Sequence, residues 1–154
     1  MKYYLAYGSN LNVEQMKYRC PNARKCRTTV IHDYELVFRR GYLTIEPKPG
    51  ASVPVGIWEI TEEDERNLDR YEGYPRFYDK KMIPMQFTGW NHDGNSYTIT
   101  KECLVYIMQS GFLIQAPSDV YLAICRIGYR NFGLDLGPLM KAYERAKWPE
   151  EDEE

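Results

Sequence analysis

The chain has 154 residues, of which 44% are hydrophobic and 27% are charged, and its formal net charge at pH 7 is −2. This length and composition are typical of one globular domain that buries its own hydrophobic core. The small negative charge argues against nucleic acid as the main partner, because nucleic-acid-binding domains concentrate positive charge.

The hydropathy and the cysteine and histidine content argue against a membrane protein, a secreted protein and a metal-binding protein. No apolar run approaches the length of a membrane span, and the N-terminus lacks the pattern of a secretion signal. We therefore expect a cytoplasmic protein, without a membrane partner, in which Cys20, Cys26, Cys103 and Cys125 are reduced thiols. These cysteines form no C-x-x-C pair, and the two histidines lie in turn-like sequence. We accordingly expect no metal site and no Ser-His-Asp triad.

The N-terminus predicts a strand, a tight turn and a helix. Residues 3–7 form an apolar, aromatic run typical of a buried strand, and Gly8-Ser9-Asn10 is a turn signal. Asn12 has the properties of a helix N-cap, with Gln15 completing a capping box. Gly8 allows a ligand to approach the backbone, and the amides after it can point together towards an anion. The alternative is an ordinary first strand and its turn.

The next part of the chain is mainly strand-like. We predict a first helix over 13–19, strands over 25–31 and 34–38 joined at His32-Asp33, an extended segment over 41–47, a loop over 47–50 and a strand over 53–60. Thr61 then caps a helix that ends at Gly73, and acidic residues in its first turn complement the helix dipole.

The last part of the chain turns from strands to helices. Strands over 78–87 and 97–108 flank a hairpin loop, Ser118 caps a third helix, and Asp135 caps a fourth over about 136–147. Strands followed by helices predict an α+β fold, and the many short strands indicate a small, partly closed mixed β-barrel flanked by helices. We assign 1–147 to a single domain and 148–154 to an acidic C-terminal tail.

Glu72 is the candidate general acid/base. It lies in the last turn of the helix that Gly73 ends, where the negative end of the dipole disfavours a charged carboxylate. Its neighbours are mainly aromatic, and burial among them would raise its pKa. A raised carboxyl pKa suits proton transfer at neutral pH. The alternative is an exposed glutamate paired with Arg76.

Three landmarks, in order, resemble the γ-glutamylcyclotransferase family. Tyr7-Gly8-Ser9-Asn10-Leu11 is similar to the family's YGSNL signature, and Leu68-Asp69-Arg70-Tyr71-Glu72-Gly73 resembles its glutamate before a glycine at a helix end. Pro117-Ser118-Asp119-Val120-Tyr121, followed by Gly133-Leu134, resembles its C-terminal helical region. The resemblance spans Tyr4 to about Lys147 and implies the same small barrel with helices outside.

The resemblance also implies a reaction. In this family the α-amine of a γ-glutamyl group attacks its own γ-carbonyl, so that 5-oxoproline forms and an amino acid or amine leaves. The substrate supplies the nucleophile, so no metal or cofactor is required. Glu72 would take a proton from the α-ammonium group and return one to the departing nitrogen.

Site residues follow from the same resemblance. The implied substrate-binding residues are Tyr4, Leu5, Ala6, Tyr7, Gly8, Ser9, Asn10 and Leu11 in the first strand and turn, and Tyr78 and Tyr121 later in the chain. For Tyr78 and Tyr121 the alternative is core packing with a satisfied hydroxyl. The side chains of Ser9 and Asn10 alternatively only cap the turn.

Three other functions stay open. One is an enzyme of the same fold with another substrate, either a γ-glutamylamine cyclotransferase or an enzyme that acts on glutathione. Another is a non-catalytic small-molecule-binding protein, in which Glu72 would point to bulk solvent. A third is an RNA-binding barrel that uses Arg39, Arg40 and the tyrosines, which the net charge disfavours. The expected partner is a γ-glutamyl small molecule, and a homodimer is the assembly that some members of the resembled family form.

Overall fold

The computed structural model describes residues 1–148, in which five strands form one sheet and four α-helices pack around it. The elements in chain order are β1 (Lys2–Ala6), a 3-10 turn (Ser9–Leu11), α1 (Val13–Arg19), β2 (Arg24–Arg39), β3 (Tyr42–Ile60), α2 (Glu62–Glu72), β4 (Tyr78–Trp90), β5 (Ser96–Met108), α3 (Asp119–Asn131) and α4 (Gly137–Lys147). Of the predicted tail 148–154, all but the exposed Trp148 lies outside the described residues.

The sheet has the strand order β2-β3-β1-β5-β4 and is mixed. The pair β1–β5 is parallel, and the other neighbouring strands are antiparallel. The short, apolar β1 lies in the middle, as its sequence predicts, and Leu5 and Ala6 are fully buried there. The chain therefore leaves β1 at the centre of the molecule, which places the following turn beside the core.

The α+β class is confirmed, whereas the predicted barrel is only approximate because the sheet does not close. Across residues 1–148 no strand ladder joins the two edge strands, β2 and β4. Side-chain hydrogen bonds join these two edges instead. Arg27 donates a hydrogen bond to the carbonyl of Thr88 over 3.2 Å, and Lys81 donates to the hydroxyl of Tyr34 over 2.9 Å. The sheet therefore curves around the core and stays open along this seam.

Strands β2 and β3 form one long hairpin, which corrects the prediction of shorter segments. His32-Asp33 is an irregularity within β2, where the register shifts and Asp33 has φ = 64°. The segment 47–50 belongs to β3 and is not a loop, and Gly50 donates its N–H to Asp33 Oδ1 over 3.0 Å. Turn-forming residues are tolerated here because β1 pairs with β3 only from Gly56 onwards, so this part is an open edge.

The caps of α2 and α3 are confirmed. Thr61 accepts a hydrogen bond from the N–H of Asp64 over 3.1 Å, and the Asp64 carboxylate accepts one from the N–H of Thr61 over 3.0 Å. Gly73 ends α2 in the left-handed conformation, with φ = 65°. Ser118 accepts from the N–H of Tyr121 over 3.1 Å. These local signals set both ends of α2, and its last residue is Glu72.

Two other caps differ in detail from the prediction. Asn12 accepts from the N–H of Gln15 over 3.0 Å, but the Gln15 side chain bonds to Arg19 over 2.6 Å and leaves the capping box half formed. Helix α4 begins one residue later than predicted, and its N-cap is Leu136, so the prediction that Asp135 caps it is wrong. Asp135 lies just before the N-cap and accepts from the N–H of Gly137 over 2.8 Å. No helix within residues 1–148 has both the length and the hydropathy that a membrane crossing requires.

Candidate functional site

A cavity of about 330 Å³ lies where the end of β1, the end of α2 and the β2–β3 hairpin meet. The predicted residues that line it from the first strand and turn are Tyr4, Tyr7, Gly8, Ser9 and Asn10. Those that line it from later elements are Glu72, Tyr78 and Tyr121. Tertiary folding thus brings eight of the eleven predicted residues to one cavity.

The other three predicted residues lie in the core. Leu5, Ala6 and Leu11 are 0% exposed and are not part of the cavity wall. Leu5 points to the face of β1 opposite to Tyr4, because successive side chains of a strand alternate. Ala6 ends the strand, and Leu11 lies in the 3-10 turn with its side chain in the core. The side chains of these three residues pack in the core behind the cavity wall, and substrate binding by the predicted set stays a prediction.

Glu72 reaches the cavity because α2 ends directly after it. The N–H of Gly73 donates to the carbonyl of Arg70 over 3.2 Å, and the N–H of Tyr74 donates to the carbonyl of Asp69 over 2.8 Å. A Cβ atom on Gly73 would lie 2.6 Å from the Phe77 ring, so this tight exit from the helix requires glycine. The carboxylate of Glu72 bonds to Asn10, and no bond joins it to Arg76 within residues 1–148.

The cavity keeps the Glu72 carboxyl close to its titration point at neutral pH. Burial raises the pKa of Glu72 from 4.5 to about 7. Arg19, the hydrogen bond from Asn10 and Arg40 act in the opposite direction, because each favours the charged form. The direction agrees with the sequence-based expectation, and the main cause is burial. Both protonation states of Glu72 are therefore accessible near pH 7.

Asn10 connects this carboxylate to the first helix. Its side-chain Nδ2 donates to Glu72 Oε1 over 3.2 Å and to the Tyr4 hydroxyl over 2.9 Å. Its Oδ1 accepts from Arg19 over 2.7 Å, which fixes the orientation of the amide. The backbone carbonyl of Asn10 accepts from Trp58 Nε1 over 2.8 Å. Asn10 therefore does more than cap the turn, because it presents an N–H to the Glu72 carboxylate.

Two tyrosine hydroxyls of the wall bond to the backbone of Leu43. Tyr78 donates to the Leu43 carbonyl over 2.7 Å, and the Tyr121 oxygen accepts from the Leu43 N–H over 3.3 Å. A Cβ atom on Gly8 would lie 3.3 Å from the Tyr121 oxygen, so the glycine allows this close contact. The hydroxyls of Tyr78 and Tyr121 thus have partners, as the packing alternative expects, and both residues also line the cavity, so that contact with a substrate stays a prediction.

Sequence reasoning missed three side chains at the site. Arg19 packs its guanidinium 3.6 Å from the Tyr71 ring centroid, and the Tyr71 hydroxyl lies 3.2 Å from Ser9 Oγ. Arg40, at the β2–β3 turn, lines the cavity as well. In the sequence, Arg40 stands before Gly41 and between two strand-like segments. This pattern indicates a turn, but it does not show that the turn lies at the cavity.

No three His, Cys, Asp or Glu side chains within residues 1–148 are grouped so that they would hold a metal ion. We therefore assign no metal ligand. The cavity offers a single carboxylate of near-neutral pKa among tyrosines, with cationic side chains nearby. Such a site can bind a small polar molecule and move a proton to and from it.

Comparisons with known proteins point to one family. Residues 4–123 match the family model described as Gamma-glutamyl cyclotransferase, AIG2-like. The chain is 27% identical over 144 residues to a gamma-glutamylcyclotransferase of Bos taurus, covering 86% of this chain and 72% of the relative. It is 26% identical over 144 residues to that of Homo sapiens, with the same coverage of 86% and 72%. A solved structure titled gamma-glutamyl cyclotransferase has a TM-score of 0.69 at 23% identity, covering 96% of this chain and 87% of that chain, which shows the shared fold.

Proposed function

This chain belongs to the Gamma-glutamyl cyclotransferase, AIG2-like family, and we propose that it releases 5-oxoproline from γ-glutamyl amino acids or γ-glutamylamines. The observation that carries the proposal is the placement of Glu72. Its carboxyl, with a pKa of about 7, lies in the same cavity as Gly8 and Ser9. A non-catalytic binding protein would not need a carboxylate held at its titration point inside the ligand cavity.

The proposed reaction is an intramolecular aminolysis. The α-nitrogen of the γ-glutamyl group forms a bond to its own γ-carbonyl carbon, and the bond from that carbon to the leaving nitrogen breaks. The α-ammonium must first lose a proton, which the Glu72 carboxylate accepts. The protonated carboxyl then donates that proton to the departing nitrogen, which leaves as an amine. The attacking nitrogen still carries two hydrogens and loses one of them as the lactam forms, and the product amine takes up this second proton at neutral pH, so Glu72 ends as the carboxylate.

Other groups on the wall would position the substrate. The amides that open the 3-10 turn Ser9–Leu11 have no acceptor within the turn, since the first N–H groups of any helix lack one. The Tyr4 hydroxyl accepts from Asn10 and keeps its own proton to donate. These donors are our candidates for binding the glutamyl α-carboxylate and the oxyanion that forms at the γ-carbon. Holding the glutamyl side chain of the substrate folded brings its α-nitrogen next to its γ-carbonyl carbon, and this orientation lowers the barrier to ring closure.

The test is release of 5-oxoproline from a panel of γ-glutamyl amino acids and γ-glutamylamines. We expect release by the wild type and a loss of about 10²–10⁴-fold in kcat for Glu72→Gln, which keeps the side-chain shape and removes the base. The matched control is Glu63→Gln on the same helix, because Glu63 is exposed and lies outside the cavity. We expect the control to be as active as the wild type.

Two outcomes would contradict parts of this proposal. If the wild type releases no 5-oxoproline from any compound, the chain is not a cyclotransferase for these substrates. The result would then favour the alternative of a non-catalytic binding protein. If Glu72→Gln is as active as the wild type, the reaction stands but Glu72 is not its acid/base.

A further inference from the structure

Arg40 lines the cavity, and the proton transfers described above do not use it. It is half-buried, its Nε atom is buried without a hydrogen-bond partner, and no other guanidinium nitrogen of Arg40 donates a hydrogen bond within residues 1–148. Buried polar groups are nearly always hydrogen-bonded in folded proteins. The buried Nε cannot be reached from the cavity, so a ligand there would meet the two terminal nitrogens, Nη1 and Nη2, which also have no acceptor within residues 1–148.

Aromatic rings hold the Arg40 guanidinium in place. Its Cζ atom lies 4.2 Å from the ring centroid of Phe77, 5.1 Å from that of Tyr42 and 5.2 Å from that of Phe112. The backbone N–H of Arg40 also donates to the carbonyl of Leu113 over 3.0 Å. Ring contacts of this kind use the face of a guanidinium and leave the N–H groups at its edge available.

The other arginines nearby are already engaged. Arg19 donates to Asn10 and Gln15. Arg70, which also lines the cavity, bonds to Asn67. Arg39, next in sequence to Arg40, forms a two-pronged pair with the carboxylate of Glu46. Arg70 is exposed and donates through Nη2 alone, whereas Arg40 is the cavity arginine that donates to no side chain or backbone acceptor through its guanidinium within residues 1–148.

Arg40 lies between two hollows. Together with Tyr42 and Tyr121 it lines the cavity that contains Glu72, and the same three residues line a shallower hollow of about 290 Å³ beside it. The Gly8 turn and Glu72 belong only to the first cavity. A substrate whose glutamyl part lies at the Gly8 turn would therefore extend its leaving group past Glu72 towards Arg40.

We propose that Arg40 binds the carboxylate of the leaving amino acid, so that this chain selects γ-glutamyl amino acids over γ-glutamylamines. The inference rests on the proposed function and names its substrate class. All γ-glutamyl compounds share the glutamyl α-carboxylate, whereas only those with an amino-acid leaving group carry a carboxylate beyond the reacting bond. A planar guanidinium fork matches a carboxylate in geometry and charge. An amine without that group would leave Arg40 unpaired.

The test compares two compounds that differ in one group, γ-glutamyl-alanine and γ-glutamyl-alaninamide. We expect the wild type to show a kcat/KM about 10- to 100-fold higher for the free carboxylate, which is the range for hydrogen bonds to a charged group. Arg40→Met keeps the length of the side chain and should lose that preference, so that its two kcat/KM values become equal. Arg40 also lowers the pKa of Glu72, so its removal slows both compounds alike at neutral pH, and the ratio of the two kcat/KM values is therefore the readout. Arg40→Lys keeps the charge without the fork and should be intermediate.

Controls separate binding from folding. Arg76→Met removes an exposed arginine outside the cavity and should leave both kcat/KM values unchanged. Thermal unfolding of each variant reports whether Arg40→Met is folded. If it is not, Arg40→Lys carries the test, and the expected result is a loss confined to γ-glutamyl-alanine.

Each remaining outcome decides a different question. Equal use of both compounds by the wild type, or an equal loss on both in Arg40→Met, overturns the role of Arg40 and leaves the proposed function intact. If the wild type releases 5-oxoproline from neither compound, the proposed function fails. Calorimetric binding of the two compounds then tests Arg40 separately. The role of Arg40 is supported if the wild type binds γ-glutamyl-alanine more tightly than γ-glutamyl-alaninamide and if Arg40→Met does not. Equal binding of the two compounds by the wild type, or no binding, overturns that role.

Discussion

The side-chain amide of Asn10 donates a hydrogen bond to the carboxylate of Glu72 over 3.2 Å, although 62 residues separate them in the chain. The carbonyl oxygen of the same amide accepts from Arg19 over 2.7 Å, so the donor cannot rotate away from Glu72 without breaking that bond. The first turn and the first helix thereby influence the protonation of a residue at the end of α2. Four predictions follow from the state of this carboxylate and from the packing that positions the turn.

The pH dependence of the reaction should report the titration of Glu72. Its pKa of about 7 means that only the ionised form, which predominates above that pH, can accept the substrate proton. We expect kcat/KM to rise about tenfold per pH unit below 7 and to level off above it, as measured by 5-oxoproline release between pH 5 and 8. Glu63→Gln should keep the same profile. A rate that is flat across this range would show that Glu72 does not act as the base.

Replacing Glu72 should stabilise the protein at high pH. The folded-state pKa of about 7 lies above the ordinary value of 4.5, so the folded state holds its proton longer than the unfolded state. The contribution of Glu72 to stability therefore falls as pH rises from about 4.5 to 7 and is constant above that. Relative to the wild type, Glu72→Gln should gain up to about 3 kcal/mol in the free energy of unfolding at pH 8 and almost nothing at pH 4. Urea unfolding at both pH values measures this, and an equal difference at pH 4 and pH 8 would contradict it.

Arg19 should act as a positioning residue. It lowers the pKa of Glu72 through its charge, and it orients the Asn10 amide that bonds to the carboxylate. Arg19→Met should therefore raise the midpoint of the pH–rate profile above 7, by about one pH unit. Arg19→Lys restores the charge but not the two-pronged contact, and its midpoint should lie between those of the wild type and Arg19→Met. A loss of activity with no change in midpoint would indicate a structural role only.

The turn that carries Asn10 should depend on a close contact with α3. A Cβ atom on Gly128 would lie 2.6 Å from the backbone nitrogen of Asn12 and 2.7 Å from Cβ of Leu11, so the helix and the turn would have to separate. Gly128→Ala should destabilise the fold by about 1–3 kcal/mol, since overpacking in a core costs that amount. A lower Tm in thermal unfolding is the measurement. Ile127→Ala on the exposed side of the same helix is the control, and an unchanged Tm for Gly128→Ala would show that the turn adapts.

The sequence determined the local features of this protein. The apolar run of β1, the turn after Gly8, the caps at Thr61 and Ser118 and the glycine that ends α2 were all predictable. Each depends on residues within a few positions of one another, and backbone conformation and hydrogen-bond capping act over that range. The same local signals place Glu72 in the last turn of a helix, and the family resemblance carried by those motifs is confirmed.

Only the tertiary structure decided how long the β2–β3 hairpin is, that the sheet stays open, and which residues line the cavity. Pro47 pairs with β2 on one side, and within residues 1–148 no strand pairs with β3 on its other side at that point. The local sequence does not record this free side, which is why β3 can continue through a proline. Leu5 and Leu11 proved to be core residues, whereas Arg40 proved to line the cavity. The pKa of Glu72 belongs to the same class of property. It depends on desolvation and on charges brought together from distant parts of the chain, and these contacts exist only once the chain has folded.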